Sequence, residues 1–366
     1  MSEIRRDPTT GAFVIIAPGR SRRPGAQRDT SSAQRDTSSA PHATSSARQR
    51  VSRYDTHCPF CPGNEAQLLG IVAETPSGGT PGWSTRTVLN KFPALAPDAV
   101  APQGHDPMHE TIAAKGFHEV IVESPFHDAD LPTLDIAQIT DVVTTYHQRF
   151  CALSKRPGVE AVVLFRNHGT RSGASLVHPH AQVVAVPLVP PRLQAMVAWG
   201  ARQGAQTGKC PTCEELAREL QAGVRVVEES ADFVALVPFA AEVPCEAWLV
   251  PKRHSASFAD ACETELADLA ALLGRTLQRL KAAHGDPPYS FAIESAGPGS
   301  DARYLHWRLR IAPDIVNPGG FERGSGMPIN PSSPEADAAL LRASWDIGSL
   351  DVGSLDHDSG RGEVKT

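Results

Sequence analysis

Long apolar runs are missing from this 366-residue chain. No stretch of about 18 apolar residues occurs, so no membrane-spanning helix is expected. A basic excess is missing too: Lys+Arg 35 against Asp+Glu 41 leaves a net charge of −6, which advertises no nucleic-acid surface. The start, MSEIRRDPTT, lacks the apolar stretch of a signal peptide, and a cytoplasmic protein is expected. Membrane, secreted and collagen-like classes fall away. What remains, at 41% hydrophobic and 21% charged, is an ordinary globular composition. The length suits two domains of about 150 residues, or one large domain built from two similar halves. Cysteines are few and odd in number, seven, but four stand as two CxxC pairs, Cys58/Cys61 and Cys210/Cys213. In a cytosolic chain that favours metal binding or thiol chemistry over disulfides.

Two segments carry no chemistry. Residues 26–47, AQRDTSSAQRDTSSAPHATSSA, repeat QRDTSSA and hold no apolar side chain larger than Ala. Such a stretch buries too little to offset its ordering entropy and is expected to be a disordered insertion. The polar, Gly-rich tail 347–366 is expected to fray.

The rest reads as a duplication. Cys58-x-x-Cys61, His127 and His178-Pro-His180 in one half answer Cys210-x-x-Cys213, His254 and His306-Trp-Arg308 in the other. A Glu stands eight residues before each middle His, Glu119 and Glu246, with a strand-like run between. A helical period follows each: Ile136, Ile139, Val143, Tyr146 and Phe150, then Leu266, Leu269, Leu273, Leu277 and Leu280. A β-rich run, a loop and another strand complete each half. The expectation is an α+β fold of tandem halves, 1–196 and 197–346, with antiparallel sheets and packed helices. The two halves could pair into one extended sheet about a pseudo-two-fold axis.

Each CxxC with its two histidines makes a Cys₂His₂ set, a standard tetrahedral zinc site. Site one is Cys58, Cys61, His127 and His178; site two is Cys210, Cys213, His254 and His306. Two zinc ions per chain are expected, with iron an alternative in site one and a single four-Cys site a rival arrangement. Four protein ligands leave no room for water, so these metals would be structural. Cys151, Cys245 and Cys262 read as buried apolar residues.

Alternation in His178-Pro-His180-Ala-Gln182 puts 178, 180 and 182 on one strand face. With His178 held by metal, His180 projects beside it as a free imidazole. The Gly/Ser-rich loop 167–177 before it would let backbone N–H groups approach phosphate oxygens. An imidazole is a competent nucleophile at phosphorus. Arg308 stands at the matching place of the second half, and a guanidinium cannot serve, so that half is expected to be silent.

These motifs resemble the galactose-1-phosphate uridylyltransferase branch of the histidine-triad superfamily, in particular its two-zinc members, which include the ADP-glucose adenylyltransferase type. RRDPTTGAFVIIAPGRSRRPG (5–25), CPFCPGNE (58–65), VLNKFPAL (88–95), GFHEVIVESPFH (116–127), NHGTRSGASLVHPHAQ (167–182) and GGFERGSG (319–326) carry the likeness. The resemblance implies Arg20 and Arg23 near the nucleotide-sugar, Asn90 against the nucleoside, and Asn167, Gly173 and Ser175 cradling phosphoryl oxygens. Phe321 and Glu322 would belong to a late substrate loop. It implies a double displacement, with His180 as nucleophile and Gln182 bonded to the transferring group. Gln182 replaces the third His of histidine-triad hydrolases, which favours transfer over hydrolysis. The expected activity is UDP-glucose:galactose-1-phosphate uridylyl transfer, with a nucleoside-diphosphate sugar and a sugar 1-phosphate as partners and a homodimer as assembly. The alternatives are an ADP-sugar phosphorylase transferring AMP to phosphate or sulfate, and a zinc-stabilised nucleotide-binding protein without catalysis.

Overall fold

The computed structural model describes residues 2–22, 52–78, 82–101, 108–300 and 302–351. Arg23, the 26–47 insertion and residues 352–366 lie outside the described residues.

A hairpin opens the chain, β1 (Glu3–Arg6) and β2 (Phe13–Ile16). The first half then supplies β3 (Ile71–Pro76), β4 (Trp83–Leu89), β5 (Phe117–Val122), the helix α1 (Ile136–Ser154), β6 (Ala161–His168) and β7 (His180–Val186). Two helices follow, α2 (Pro191–Thr207) and α3 (Pro211–Ala222). The second half repeats the pattern with β8 (Val226–Glu229), β9 (Phe233–Leu236), β10 (Ala247–Pro251), α4 (Glu263–His284), β11 (Tyr289–Glu294) and β12 (Arg308–Pro313). Last come α5 (Gly320–Ser325), β13 (Ile329–Asn330) and α6 (Pro334–Asp351). The last helix therefore runs into the stretch expected to fray, as far as Asp351. The division read at 196/197 falls inside α2, because the prolines at 190 and 191 start that helix: Pro191 sits in its first turn, where no N–H is needed.

The two halves make one sheet. Its strand order is β3-β4-β5-β7-β6-β11-β12-β10-β9-β8, antiparallel throughout, and it reads the same from either end once halves are exchanged. The seam is β6 against β11, registered from His168↔Tyr289 to Leu164↔Ile293. A sheet this long exposes two faces, and the sequence covers them differently. One face carries Ile121, Leu164, Ala181, Val183, Phe291, Leu309 and Leu249, all buried in a single core with α1 and α4. All five leucines of the α4 period are buried there. In α1 the outermost, Ile136, is 54% exposed, because it is the first residue after the Asp135 cap and stands beyond the sheet contact. The opposite face is capped at each end by a CxxC segment. Cys58, Phe60 and Cys61 pack on Val88, Val120 and Val122, and Leu216 of α3 packs on Val234, Leu236, Trp248 and Val250.

The matching glutamates do not share a face. Glu119 pairs with Arg149 of α1, whereas Glu246 lies on the opposite face against Arg310 and the Trp248 indole. Glu119 of β5 lies opposite Val183 of β7, whereas the matching place opposite Ile311 of β12 holds Ala247, so Glu246 stands one residue out of register and a period-two strand turns it to the other face. Of the cysteines expected to be buried, Cys245 is, Cys151 is half-buried, and Cys262 is exposed at the N-cap of α4.

Candidate active site and metal centres

Both Cys₂His₂ sets come together. In site one Cys58 Sγ lies 3.7 Å from His178 Nδ1, and Cys61 Sγ lies 3.6 Å from Nδ1 of both His127 and His178. An edge of about 3.6 Å follows from a tetrahedral ion with sulfur at about 2.3 Å and nitrogen at about 2.0–2.1 Å. Site two is slightly tighter, with Cys213 Sγ 3.2 Å from His254 Nδ1 and 3.3 Å from His306 Nδ1. Three of the four rings place Nε2 on a backbone carbonyl: His178 on Ser124, His254 on Arg303 and His306 on Pro251. That outer bond fixes the tautomer and leaves Nδ1 as the ligating atom. Burial holds His178 down at about 4, in the neutral form a metal requires, and pushes the Cys58 thiol up to about 11. A thiolate in so dry a place calls for a cation beside it. The four-Cys arrangement does not occur: each pair sits with its own two histidines.

Strand β7 starts at His180, so His178 belongs to its approach and turns into site one, while His180 and Gln182 share the open face. His180 is buried, and its Nδ1 donates to the carbonyl of His178 at 2.8 Å. The proton is therefore on Nδ1, and the Nε2 lone pair is free. Burial lowers the His180 pKa, against the opposing influence of the His178 carbonyl and of Glu123, and keeps the ring neutral and nucleophilic. Phe60, from inside the CPFC turn, lays its ring 5.4 Å from that of His180 and 5.9 Å from that of His178. Behind the strand, Glu123 is held by Arg166 at 2.9 and 3.0 Å and by the Tyr146 hydroxyl, all fully buried.

The β6–β7 register, Phe165↔Gln182 and Arg166↔Ala181, brings Asn167 opposite His180. The Asn167 amide has no protein partner among the described residues. Gly173 closes the one-turn segment Thr170–Ser172 with φ +92°, and a Cβ there would come within 3.3 Å of the Asn167 amide nitrogen. Asn167 and Gly173 thus stand together on the His180 side of β6, while Ser175 is exposed in the loop that follows. Asn90 stands with Gln182, its amide nitrogen 3.4 Å from Gln182 Oε1. Arg20, Phe321 and Glu322 are elsewhere: β2 pairs with β13, and Val14 and Ile16 pack on Ala240 of the second half. Glu322 caps its own helix through the Gly319 N–H, and Phe321 is half exposed. No contact joins these three to His180 among the described residues.

Phe60 and His118 were not picked out from the sequence. An aromatic between two ligating cysteines was the available signal for the first. Alternation with Val120 and Val122 was the signal for the second.

A free imidazole nitrogen facing an amide without a protein partner among the described residues and a left-handed glycine, beside a Cys/His cluster, is an arrangement suited to phosphoryl transfer. Comparison with known proteins gives that class its family. Residues 1–190 match the family model for the N-terminal domain of galactose-1-phosphate uridyl transferase. An ADP-glucose phosphorylase of Arabidopsis thaliana is 32% identical over 93% of this chain and 92% of its own. A galactose-1-phosphate uridylyltransferase of Thermotoga maritima is 27% identical over 93% and 98%. The crystal structure of the Arabidopsis enzyme with bound ADP-glucose superimposes with a TM-score of 0.77 at 31% identity, covering 93% of this chain and 98% of that one. A uridylyltransferase structure gives 0.71 at 28%, covering 95% and 99%. The chain belongs to the galactose-1-phosphate uridylyltransferase family and is a nucleotidyltransferase. No helix among the described residues is long and apolar enough to cross a membrane.

Proposed function

We propose that the chain moves a nucleoside monophosphate between sugar phosphates through a nucleotidyl-His180 intermediate. Nε2 of His180 attacks the α-phosphorus of a nucleoside-diphosphate sugar; a P–N bond forms as the P–O bond to the sugar 1-phosphate breaks. The oxygen of a second phosphate then attacks the same phosphorus and releases His180. The His178 carbonyl, holding Nδ1–H at 2.8 Å, supports the positive charge that develops on the ring. Gln182, Asn167 and the loop at Gly173 receive the charge on the phosphoryl oxygens. The observation that carries this reading is the register that sets Asn167 opposite a His180 whose tautomer is already fixed.

UDP-glucose with galactose 1-phosphate is the leading substrate pair. ADP-glucose with phosphate or sulfate is the second reading, with which the 32% identity to an ADP-glucose phosphorylase is equally in keeping. Zinc is our assignment for both Cys₂His₂ clusters, in a purely structural role, with metal analysis to separate it from iron in site one. We read the assembly as a cytoplasmic homodimer, because Arg20, Phe321 and Glu322 sit with the second half and would serve a site other than their own chain's.

The test is isolation of the intermediate. UDP-glucose and ADP-glucose labelled at the α-phosphate are offered separately, followed by galactose 1-phosphate or phosphate. An acid-labile label on the wild-type chain, absent from His180→Ala with metal content unchanged, is expected. Label on the His180→Ala chain would overturn the mechanism.

A further inference from the structure

Gln182 is asked to present a hydrogen-bond donor to a phosphoryl oxygen, yet a carboxamide can turn either end outward. The rotation changes shape hardly at all but reverses the chemistry, because a phosphate oxygen only accepts. Something must choose.

Gly116 begins the answer. A Cβ there would lie 2.2 Å from the carbonyl oxygen of Ala185, so only glycine lets β5 close on β7 at this point. His118, two residues on, then faces the same side as Gln182. Its Nδ1 accepts the backbone N–H of Ala94 at 3.1 Å. A backbone amide can only donate, so Nδ1 carries no proton and the ring proton sits on Nε2. That Nε2–H points at Gln182 Oε1 from 2.8 Å. Asn90 adds a second donor: its Oδ1 is engaged by the Phe92 N–H at 2.8 Å, which turns its NH₂ toward Gln182 Oε1 at 3.4 Å. The 3.0 Å approach of Asn90 Nδ2 to His118 Nε2 is that of two donors converging on one oxygen. Gln182 Nε2 has no protein acceptor among the described residues.

We propose that His118 is a positioning residue that, with its tautomer set by the Ala94 N–H, locks the Gln182 amide with its NH₂ end toward the transferring phosphoryl group. The reversed amide would set NH₂ against two donors and offer a carbonyl oxygen to an anion. This proposal rests on the histidine-transfer reading above, and it assigns part of the 88–95 motif an orienting role through Asn90 and Ala94.

Two measurements on the full, metal-loaded chain test it. In the substrate-free protein, ¹⁵N shifts of His118 should report a proton on Nε2; a proton on Nδ1 overturns the proposal. In single-turnover transfer from UDP-glucose or ADP-glucose, His118→Phe should slow the chemical step by about 10–100-fold, short of the full loss of a typical oxyanion donor. KM should move little, and melting temperature and metal content should confirm the fold. His118→Gln, whose Nε2 can sit where the ring donor was, should recover most of the rate. The double variant His118→Phe/Gln182→Ala should be no slower than Gln182→Ala, because residues acting in series are not additive. Multiplying penalties, or a glutamine no better than phenylalanine, overturns the proposal. Normal turnover by Gln182→Ala with His180→Ala inactive removes the lock and leaves the histidine mechanism standing. Normal turnover by His180→Ala removes both.

Discussion

The two halves place the same strands around the same kind of Cys/His cluster, yet at matching places one holds a histidine and an amide and the other an ion pair. In the first half His180 on β7 faces Asn167 on β6, and the amide of Asn167 has no protein partner among the described residues. In the second half Arg308 on β12 faces Glu294 on β11, and its Nε donates to the Glu294 carboxylate at 2.7 Å. A negative group is already in place where the first half would receive one. The fully buried Arg308 also donates from Nη1 to Thr9 of the opening hairpin at 2.8 Å and stacks 3.5 Å over Trp248. The second site has therefore been converted into an internal ion pair sealed by the N-terminus. The halves share a scaffold and differ at two facing positions, His180 with Asn167 in one and Arg308 with Glu294 in the other.

The largest expected effects test whether the metal clusters are equivalent. His178→Ala and His306→Ala should each remove one metal equivalent, and loss of a structural zinc site costs on the order of 10 kcal/mol. Both should lower the melting temperature sharply, since both halves share one core. They should differ in function: only the His178 variant should also lose transfer per folded molecule, because removing its ring from the cluster loosens the backbone carbonyl that positions His180. Equal functional loss from both would break the comparison.

His180→Ala should abolish transfer with two metals retained. The converse change, Arg308→His, should create no second nucleophile, because Glu294 and Thr9 still fill the site; the labelled intermediate should stay at one per chain. A second equivalent of label would show the second half to be open.

A smaller effect concerns stability alone. Arg308→Met leaves Glu294 buried beside the weaker company of Arg192, and breaking one partner of a buried pair costs about 3–5 kcal/mol. Urea unfolding should show that loss with transfer unchanged. An unaltered midpoint would mean the ion pair is replaceable packing.

The smallest is a pH effect. Burial alone would raise the Glu294 pKa, but Arg308, Arg192 and Arg310 outweigh it and hold it at about 2, from an ordinary 4.5. A folded pKa below the unfolded one gives stability that is complete above the unfolded value and is lost as pH falls through 4.5 toward 2, about 3 kcal/mol in all. Glu294→Gln should flatten the stability curve in that window. An unchanged acid limb would place the sensitive carboxylate elsewhere.

Much of this was legible in the chain. Cysteine pairs and histidines at repeated spacing are covalent facts of order, and a metal cluster needs those residue types whatever surrounds them, so both ligand sets could be read directly. The α4 period was equally plain, because five leucines three and four apart have one buried face to occupy. Legibility failed where phase mattered. Glu119 and Glu246 match in spacing and end on opposite faces, since a one-residue shift in strand register cannot be seen in a count to the next histidine. His118 was passed over because its role depends on a backbone N–H from a loop some 24 residues away.

The sequence alone determined the duplication, the two Cys/His sets and the pairing of His180 with Arg308 at matching places, each a matter of which functional group stands at which spacing. Only the tertiary structure decided that the halves fuse along β6 and β11 into one sheet with one core. It alone set Glu294 against Arg308, and it alone oriented Gln182 through His118. Those outcomes depend on strand register and on hydrogen-bond direction, and both arise only when distant segments are brought within about 3 Å of one another.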